Sequence, residues 1–449
     1  MIAVLAFVVA FAVRLIWILE VQSPHAAVYS DMAGYLARAD EVLGLAPVTD
    51  PRIHAFYPFG THYLVAGELA LCGRDSTFGI AIVHALVGAI PPTVVALLGR
   101  RLCPSRAIVL LASMLAAVWQ PQVVYAAFFM SELWFSAAVA LASLFFVRAF
   151  EAPRDRWGSI VLAGTFAAVS FVIRPQVVLT FALVALLGAI GIVRSRGARG
   201  SRPLRRRLAR RAAAVLVPIA IVMGLSSLRL HRLSGRFGLV SENGPLMRLF
   251  GETDVGRVEA TWTTPDGGRY FAWYAAGLKK PYTDENTFRF EGYVGDPDIL
   301  DDERRARLAV TPSGARVARA WKNLTSLVWR SFPFPEADFH ASKPRLQLSR
   351  VFRKILYALL ALAPVGLFAM ARRGPAAAAV YANLATVVAL PMLFYAEARY
   401  RVPYDPFVIL AAAVGAFAIT TNLRDRLRAR RARRNVSGTL RRLSYEAGE

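Results

Sequence analysis

Apolar stretches long enough to cross a membrane recur along the whole chain. A hydrocarbon core of roughly 30 Å is crossed by about 20 mostly apolar residues in helical conformation. Ten segments meet or approach this length, and Pro175 is expected to separate the fifth from the sixth because proline interrupts a helix. The predicted spans lie near residues 2–19, 77–98, 105–119, 129–147, 158–173, 176–193, 212–230, 352–371, 375–395 and 403–420. This pattern predicts an all-α polytopic membrane protein.

Two polar segments between the spans are long enough to carry function. Residues 231–351 contain many aromatic side chains among Gly, Pro and Asp, without a clear strand or helix period, and only 300–329 is typical of a helix. The predicted parts are an N-terminal transmembrane module (1–230) with a first outer loop (20–76), an irregular outer segment (231–351), C-terminal transmembrane helices (352–420) and a basic tail (421–449).

Arginine is concentrated in alternate loops, which predicts the orientation. Nine arginines lie within 194–211 and nine within 424–442, and the loops near residues 100, 150 and 372 are basic too. By the positive-inside rule these loops are cytoplasmic, so both termini are predicted inside. Only five of the 30 acidic residues share that side, so carboxylate chemistry is expected on the outer face. The acidic residues on the cytoplasmic side are Glu151, Asp155, Asp425, Glu446 and Glu449.

The composition is typical of a membrane protein, and the placement of its charge argues against a nucleic-acid partner. The chain is 56% hydrophobic and its mean hydropathy is +0.43. Its net charge of +24 could suggest nucleic acid, but the basic runs flank membrane spans. We therefore predict no nucleic-acid partner and expect contact with anionic lipid headgroups instead. The two cysteines, at opposite ends of one span, are expected to stay unpaired.

The first outer loop opens with an amphipathic helix. Ser30 is the predicted N-cap, and Asp31 then lies in the first turn, where the helix dipole favours a carboxylate. An apolar stripe at three- and four-residue spacing predicts a helix on the membrane surface, with Arg38, Asp40 and Glu41 off the stripe. The stripe consists of Met32, Tyr35, Leu36, Ala39 and Leu43. Asp31 is either catalytic or only a stabiliser of the helix start.

Other outward polar residues are candidates for binding. His54 and His62 lack the helical spacing of a two-ligand metal site. Glu132, at the outer end of the fourth span, is costly to bury without a partner.

Three arginines are predicted on the outer face, although arginine is otherwise concentrated in the cytoplasmic loops: Arg174, Arg399 and Arg401. The planar guanidinium group suits the oxygens of a phosphate. The alternative is a set of salt bridges between Arg399 and Arg401 and the nearby Glu397 and Asp405.

Several short motifs together resemble the GT-C glycosyltransferases, and the closest branch looks like the protein O-mannosyltransferase and lipid A aminoarabinose-transferase group. The motifs are Asp31 with Tyr35, Tyr57-Pro58-Phe59-Gly60, Ser131-Glu132, Arg174-Pro175, Ser241-Glu242-Asn243-Gly244-Pro245 with Gly251, and Arg399-Tyr400-Arg401-Val402-Pro403. The resemblance implies an inverting transfer of a sugar from a polyprenyl-phosphate carrier to an acceptor hydroxyl on the outer face.

The resemblance also implies roles for single residues. Asp31 takes the place of the catalytic carboxylate, and many members have a second acid where this chain has Met32. No metal ligand is therefore assigned, no cofactor is predicted, and a divalent cation stays an open alternative. The predicted ligands of the donor phosphate are Arg399, Arg401 and Arg174. The predicted substrate-binding residues are Tyr35, His54 and Glu132.

The expected partners are a polyprenyl-phosphate-linked sugar, a lipid, glycan or protein acceptor, and membrane lipids. The alternative function is a polytopic transporter or a flippase for lipid-linked sugars. A transporter favours ionisable groups near the bilayer midplane, whereas here they gather toward one face and only Arg14 lies deeper. We therefore predict an enzyme of the bacterial plasma membrane.

Overall fold

A helical bundle makes up most of the molecule. The structure is a computed structural model, and it describes residues 1–48, 51–151, 155–194, 201–264, 267–275, 282–328, 343–371 and 373–446. Parts of the predicted basic loop (195–200), of the outer segment (265–266, 276–281 and 329–342) and of the tail (447–449) lie outside these residues. The helices before the outer segment are α1 Ile2–Ile16, α2 Asp31–Val42, α3 Ile53–Phe56, α4 Phe59–Cys72, α5 Thr77–Gly88, α6 Ile90–Leu102, α7 Arg106–Ala117, α8 Gln120–Tyr125, α9 Ser131–Glu151, α10 Trp157–Ile173, α11 Val177–Arg194 and α12 Ser201–Ser234.

The remaining helices belong to the outer segment and the C-terminal part. They are α13 Gly244–Glu252, α14 Pro297–Val310, α15 Ser313–Ser326, α16 Lys343–Met370, α17 Gly374–Leu393, α18 Ala398–Arg401 and α19 Asp405–Glu446. A short turn, Val402–Tyr404, joins α18 to α19.

The chain is a multi-pass membrane protein, and each predicted span contains a helix. In the described residues, seven helices are long and apolar enough to cross a membrane, and three shorter apolar helices fill the other predicted positions. The shorter ones are Arg106–Ala117, Trp157–Ile173 and Val177–Leu186. The break at Pro175 is confirmed, since α10 ends at Ile173 and α11 begins at Val177.

The outer segment is more regular than the sequence pattern predicted. Strand β1 (Arg257–Thr264) pairs antiparallel with β2 (Gly267–Tyr274) and parallel with β3 (Thr287–Glu291). Val258, Ala260 and Trp262 are buried along one face of β1, which is the period-two alternation of a strand. The alternation is hard to see in the sequence because the aromatic residues of β2 follow it closely. The predicted 300–329 helix is two helices, α14 and α15.

The outer segment holds the chain just before α18 in place. The Met247 carbonyl accepts from the Tyr395 amide at 2.9 Å, and the Ala396 carbonyl accepts from the Ser326 hydroxyl at 2.8 Å. Asn323 in turn donates to the Gly251 carbonyl at 2.9 Å. Because these bonds reach residues 395 and 396 from two helices, the position of the next residues depends on the folded outer segment.

Helices α16 and α19 approach each other closely at two glycines. A Cβ added to Gly366 would collide with the Ala411 carbonyl, and one added to Gly415 would collide with the Leu362 carbonyl. Small residues permit such close backbone approach between membrane helices. The closest part of the contact therefore has no room for a methyl group.

We expect Gly366→Ala to separate α16 from α19 and to lower the melting temperature in detergent. Overpacking typically costs about 1–3 kcal/mol. Gly224→Ala on α12 is the matched control, since nothing lies within 4 Å of its added Cβ. Equal melting temperatures for Gly366→Ala and the wild type would contradict this packing.

Candidate active site

Asp31 is the first residue of α2, where the sequence predicted it. Its side chain is buried and its Oδ2 accepts a hydrogen bond from Nη1 of Arg399 at 2.8 Å. Ser30 occupies the N-cap position but makes no side-chain capping bond, and its φ is +50°. The predicted N-cap position is therefore confirmed, but the Ser30 hydroxyl makes no capping bond in this backbone conformation.

Arg399 contacts two carboxylates. Its Nε lies 3.0 Å from Oε2 of Glu397, and the Tyr395 hydroxyl donates to Oε1 of Glu397 at 2.7 Å. Burial raises the pKa of Glu397, and Arg399 and the Tyr395 hydroxyl oppose that rise. The salt bridge that the sequence offered as an alternative is thus present at Arg399, together with a bond to Asp31 that the sequence did not predict.

A second buried ion pair joins Arg174 to Glu132. Arg174 follows the last residue of α10, and Glu132 lies in the first turn of α9. Arg174 pairs with Glu132 through Nη2 and donates from Nε to the Ser131 hydroxyl at 2.9 Å. Arg174 is therefore the positively charged partner that a buried Glu132 requires.

Tyr400 connects the two ion pairs. The guanidinium of Arg174 lies 5.2 Å from the Tyr400 ring centroid, and that of Arg399 lies 5.3 Å from it. Both distances are within the range of a cation–π contact. Asp31, Arg399, Glu132 and Arg174 therefore form one charged cluster around an aromatic ring.

Tyr35 lies one turn after Asp31 and completes this cluster. Burial, with a further contribution from Asp31, raises the pKa of Tyr35 to about 12. Its hydroxyl is therefore protonated at neutral pH and can donate a hydrogen bond. Its ring meets that of Tyr57 edge to face, with the centroids 5.9 Å apart.

His54 and Arg401 have their described partners away from Asp31. His54 Nε2 lies 2.5 Å from Oε2 of Glu41, at the far end of α2. Arg401 bonds Oδ1 of Asp405 at 2.8 Å and also donates to the Leu327 carbonyl. The Trp119 indole donates to the other oxygen of Asp405 at 2.7 Å. The salt bridge expected between Arg401 and Asp405 is therefore also present.

Arg38 lies in a different place from the one the sequence predicted. The sequence placed Arg38 off the apolar stripe of α2, yet the residue is buried, with its guanidinium 4.1 Å from the Tyr57 ring centroid. The missed signal is the spacing of Asp31, Tyr35 and Arg38, which share one helix face at three- and four-residue intervals. In the described residues, no group of three or more His, Cys, Asp or Glu side chains could hold a metal ion.

Comparison with known proteins agrees with this architecture. The family profile for dolichyl-phosphate-mannose-protein mannosyltransferases matches residues 57–223. The oligosaccharyltransferase of Archaeoglobus fulgidus in its apo form has a similar structure, with a TM-score of 0.52 at 13% identity over 97% of this chain and 52% of the archaeal chain. The chain has a GT-C glycosyltransferase fold. The fold that the resemblance of the sequence motifs implied is thereby confirmed.

Two further solved structures are similar at lower TM-scores. The A. fulgidus oligosaccharyltransferase AglB, in complex with an inhibitory peptide and a dolichol-phosphate, matches at a TM-score of 0.48 and 14% identity over 97% of this chain and 52% of that one. ArnT from Cupriavidus metallidurans, bound to undecaprenyl phosphate, matches at a TM-score of 0.47 and 15% identity. The match covers 92% of this chain and 59% of the ArnT chain. The chain thus spans about half the length of the archaeal structures. No curated protein sequence matches it.

The segment matched by the family profile contains only part of the charged cluster. Residues 57–223 include Ser131, Glu132 and Arg174 but neither Asp31 nor Arg399. The chain must therefore bring residues from both sides of the matched segment to the same site, and the fold does so through the bond between Asp31 and Arg399.

Proposed function

We propose that the chain is an inverting glycosyltransferase that moves a sugar from a polyprenyl-phosphate carrier to an acceptor hydroxyl on the outer face of the membrane. The buried pair of Asp31 and Arg399 is the observation that supports this most directly, because a carboxylate that could serve as base and a guanidinium that could bind phosphate lie side by side. The family profile supports the donor class, since its name describes a sugar carried on a polyprenyl phosphate.

Asp31 acts as the general base in this proposal. The acceptor oxygen attacks the anomeric carbon from the side opposite the phosphate, and the bond between that carbon and the phosphate oxygen breaks. The hydroxyl proton passes to the Asp31 carboxylate as the new bond forms. One carboxylate is enough, because the displacement inverts the anomeric carbon in a single step and forms no covalent enzyme intermediate.

Arg399 would stabilise the negative charge that develops on the departing phosphate. In the structure its Nη1 donates a hydrogen bond to Asp31, and its guanidinium forms an ion pair with Glu397. When the donor binds, Nη1 can move from Asp31 to the phosphate while Glu397 keeps the guanidinium in place. That exchange would free the Asp31 carboxylate at the moment the acceptor needs a base.

Arg174 and Glu132 form the other wall of the proposed site. Arg174 is separated from Arg399 by the Tyr400 ring, so it would act on the phosphate at longer range. Arg401 would have to leave both Asp405 and the Leu327 carbonyl before it could reach a donor. We therefore rank Arg399 first among the three predicted phosphate ligands, with Tyr35 and His54 as candidates for binding substrate hydroxyls.

The proposed location is the outer face of a bacterial plasma membrane, with both termini in the cytoplasm. In a background without Cys72 and Cys103, single cysteines at Leu45 and Val310 should react with an impermeant thiol reagent applied to intact cells. Both positions are exposed. A cysteine at the exposed Pro104 should react only after lysis. The opposite labelling pattern would reverse the orientation and move the site to the cytoplasmic face.

Transfer itself is tested with purified protein in lipid nanodiscs and a panel of labelled polyprenyl-phosphate sugars. We expect release of polyprenyl phosphate, with inversion at the anomeric carbon of the transferred sugar. The acceptors to test are lipid, glycan and hydroxyl-containing peptide. In proteoliposomes, movement of intact lipid-linked sugar across the bilayer without cleavage of the sugar–phosphate bond would favour the transporter alternative.

A further inference from the structure

Arg38 has a buried guanidinium with incomplete hydrogen bonding. It is 3% exposed, and its Nε and Nη2 have no hydrogen-bond partner within the described part of the chain. No carboxylate of the described residues forms an ion pair with it. Of the nearby acids, Asp31 is bonded to Arg399 and Glu41 to His54. Buried N–H groups without a partner are rare in native proteins, so this one requires a ligand or water.

The plane of the Arg38 guanidinium is fixed by its surroundings. It stacks on the Tyr57 ring, and a Cβ added to Gly34 would lie 3.3 Å from both Nη atoms. The side chain therefore folds back over the preceding turn of α2, on the face that carries Asp31 and Tyr35. Aromatic stacking leaves the N–H groups at the edge of the guanidinium free to bind a planar pair of oxygens.

His62 on α4 presents a second incompletely bonded group beside α2. Its ring centroid lies 5.6 Å from that of His54, and His54 bonds Glu41, which lies one turn after Arg38. His62 is fully buried, and neither of its ring nitrogens has a hydrogen-bond partner among the described residues. Burial, with the charge of Arg38, lowers the pKa of His62 to about 2. The imidazole is therefore neutral at physiological pH and offers one N–H donor.

We propose that Arg38 and His62 form an oxyanion site on the Asp31 face of α2, and that its ligand is a phosphate group. Both residues offer unused N–H donors, and the positive charge of Arg38 excludes a metal cation while favouring an anion. The phosphate can come from a lipid-linked phosphate or from free phosphate. The choice of the lipid probe rests on the proposed function, whereas the site itself does not.

The test is the binding of two probes, undecaprenyl phosphate and inorganic phosphate, to the full chain in detergent, measured by titration. Arg38→Met should weaken binding by about tenfold or more, as expected when a charged hydrogen bond is lost. Arg38→Lys should fall between Arg38→Met and the wild type, because lysine keeps the charge without the fork. His62→Phe should weaken binding by a smaller factor.

Arg248→Met is the matched control, because Arg248 is a half-buried arginine on α13 that already donates to both carboxylate oxygens of Asp301. Its affinity for both probes should equal that of the wild type. A loss with undecaprenyl phosphate alone identifies a lipid-linked ligand, and a loss with both probes identifies phosphate itself as sufficient.

Wild-type affinity of both Arg38→Met and His62→Phe for both probes would overturn the proposal, as would the absence of binding to the wild type. If Arg38→Met does not fold, Arg38→Lys and His62→Phe decide the question by the same measurement. This experiment measures binding and not sugar transfer. The phosphate site can therefore be refuted while the proposed glycosyltransferase function stands, and the function can be refuted while the phosphate site stands.

Discussion

Asp31→Asn should reduce the rate of sugar transfer by a factor of about 10² to 10⁴, which is the usual contribution of a general base. The amide keeps the shape of the side chain but cannot accept the proton of the acceptor hydroxyl. Helix α2 should persist, because the amide oxygen can still accept from Nη1 of Arg399, which lies 2.8 Å from Asp31 in the wild type. Initial rates with a saturating lipid-linked donor measure the effect.

Asp31→Glu and Asp40→Asn complete that series. Glutamate keeps the base but moves it by one methylene, so a large partial loss is expected from misplacement. Asp40 lies on the same helix in a surface ion pair with Arg74, and its replacement should leave transfer nearly unchanged. An Asp31→Asn enzyme that folds like the wild type and transfers at the wild-type rate would make Asp31 structural and the mechanism wrong.

Arg399→Gln should lower kcat/KM for the donor by a factor of about 10² to 10³, the usual cost of losing one donor to a developing oxyanion. Arg399→Lys should recover only part of this loss, because an ammonium lacks the planar fork. Steady-state kinetics with varied donor concentration measure the change. Arg305→Gln is the control, since Arg305 lies on the exposed surface of α14 with its side chain 68% accessible.

Stability must be measured beside activity for Arg399, because its loss leaves two buried carboxylates without a counter-charge. Breaking a buried ion pair from one side costs about 3–5 kcal/mol. The double variant Asp31→Asn with Arg399→Gln should recover part of that stability while staying inactive, which is the signature of a direct interaction. A stable Arg399→Gln enzyme with wild-type donor kinetics would remove Arg399 from the site.

The outer segment is a clear case where the pattern of the sequence was insufficient. Val258, Ala260 and Trp262 alternate as a strand does, yet the short β1 is identified only when β2 and β3 pair with it. Strand formation depends on such cross-strand neighbours more than on local preference. The same segment fixes the residues before Glu397 by hydrogen bonds from Ser326 and to Met247, which no local pattern predicts.

The sequence by itself determined the membrane spans, the break at Pro175 and the start of α2 at Asp31, because hydropathy, proline geometry and helix periodicity are local properties. It also selected Asp31, Glu132, Arg174 and Arg399, which the structure brings into one cluster. Only the tertiary structure decided their pairing: Arg399 reaches Asp31 across 368 positions, Arg174 reaches Glu132 across 42, and Arg38 is buried on Tyr57. Pairing of buried charges depends on which distant segments exclude water together, and that is set by packing of the whole chain.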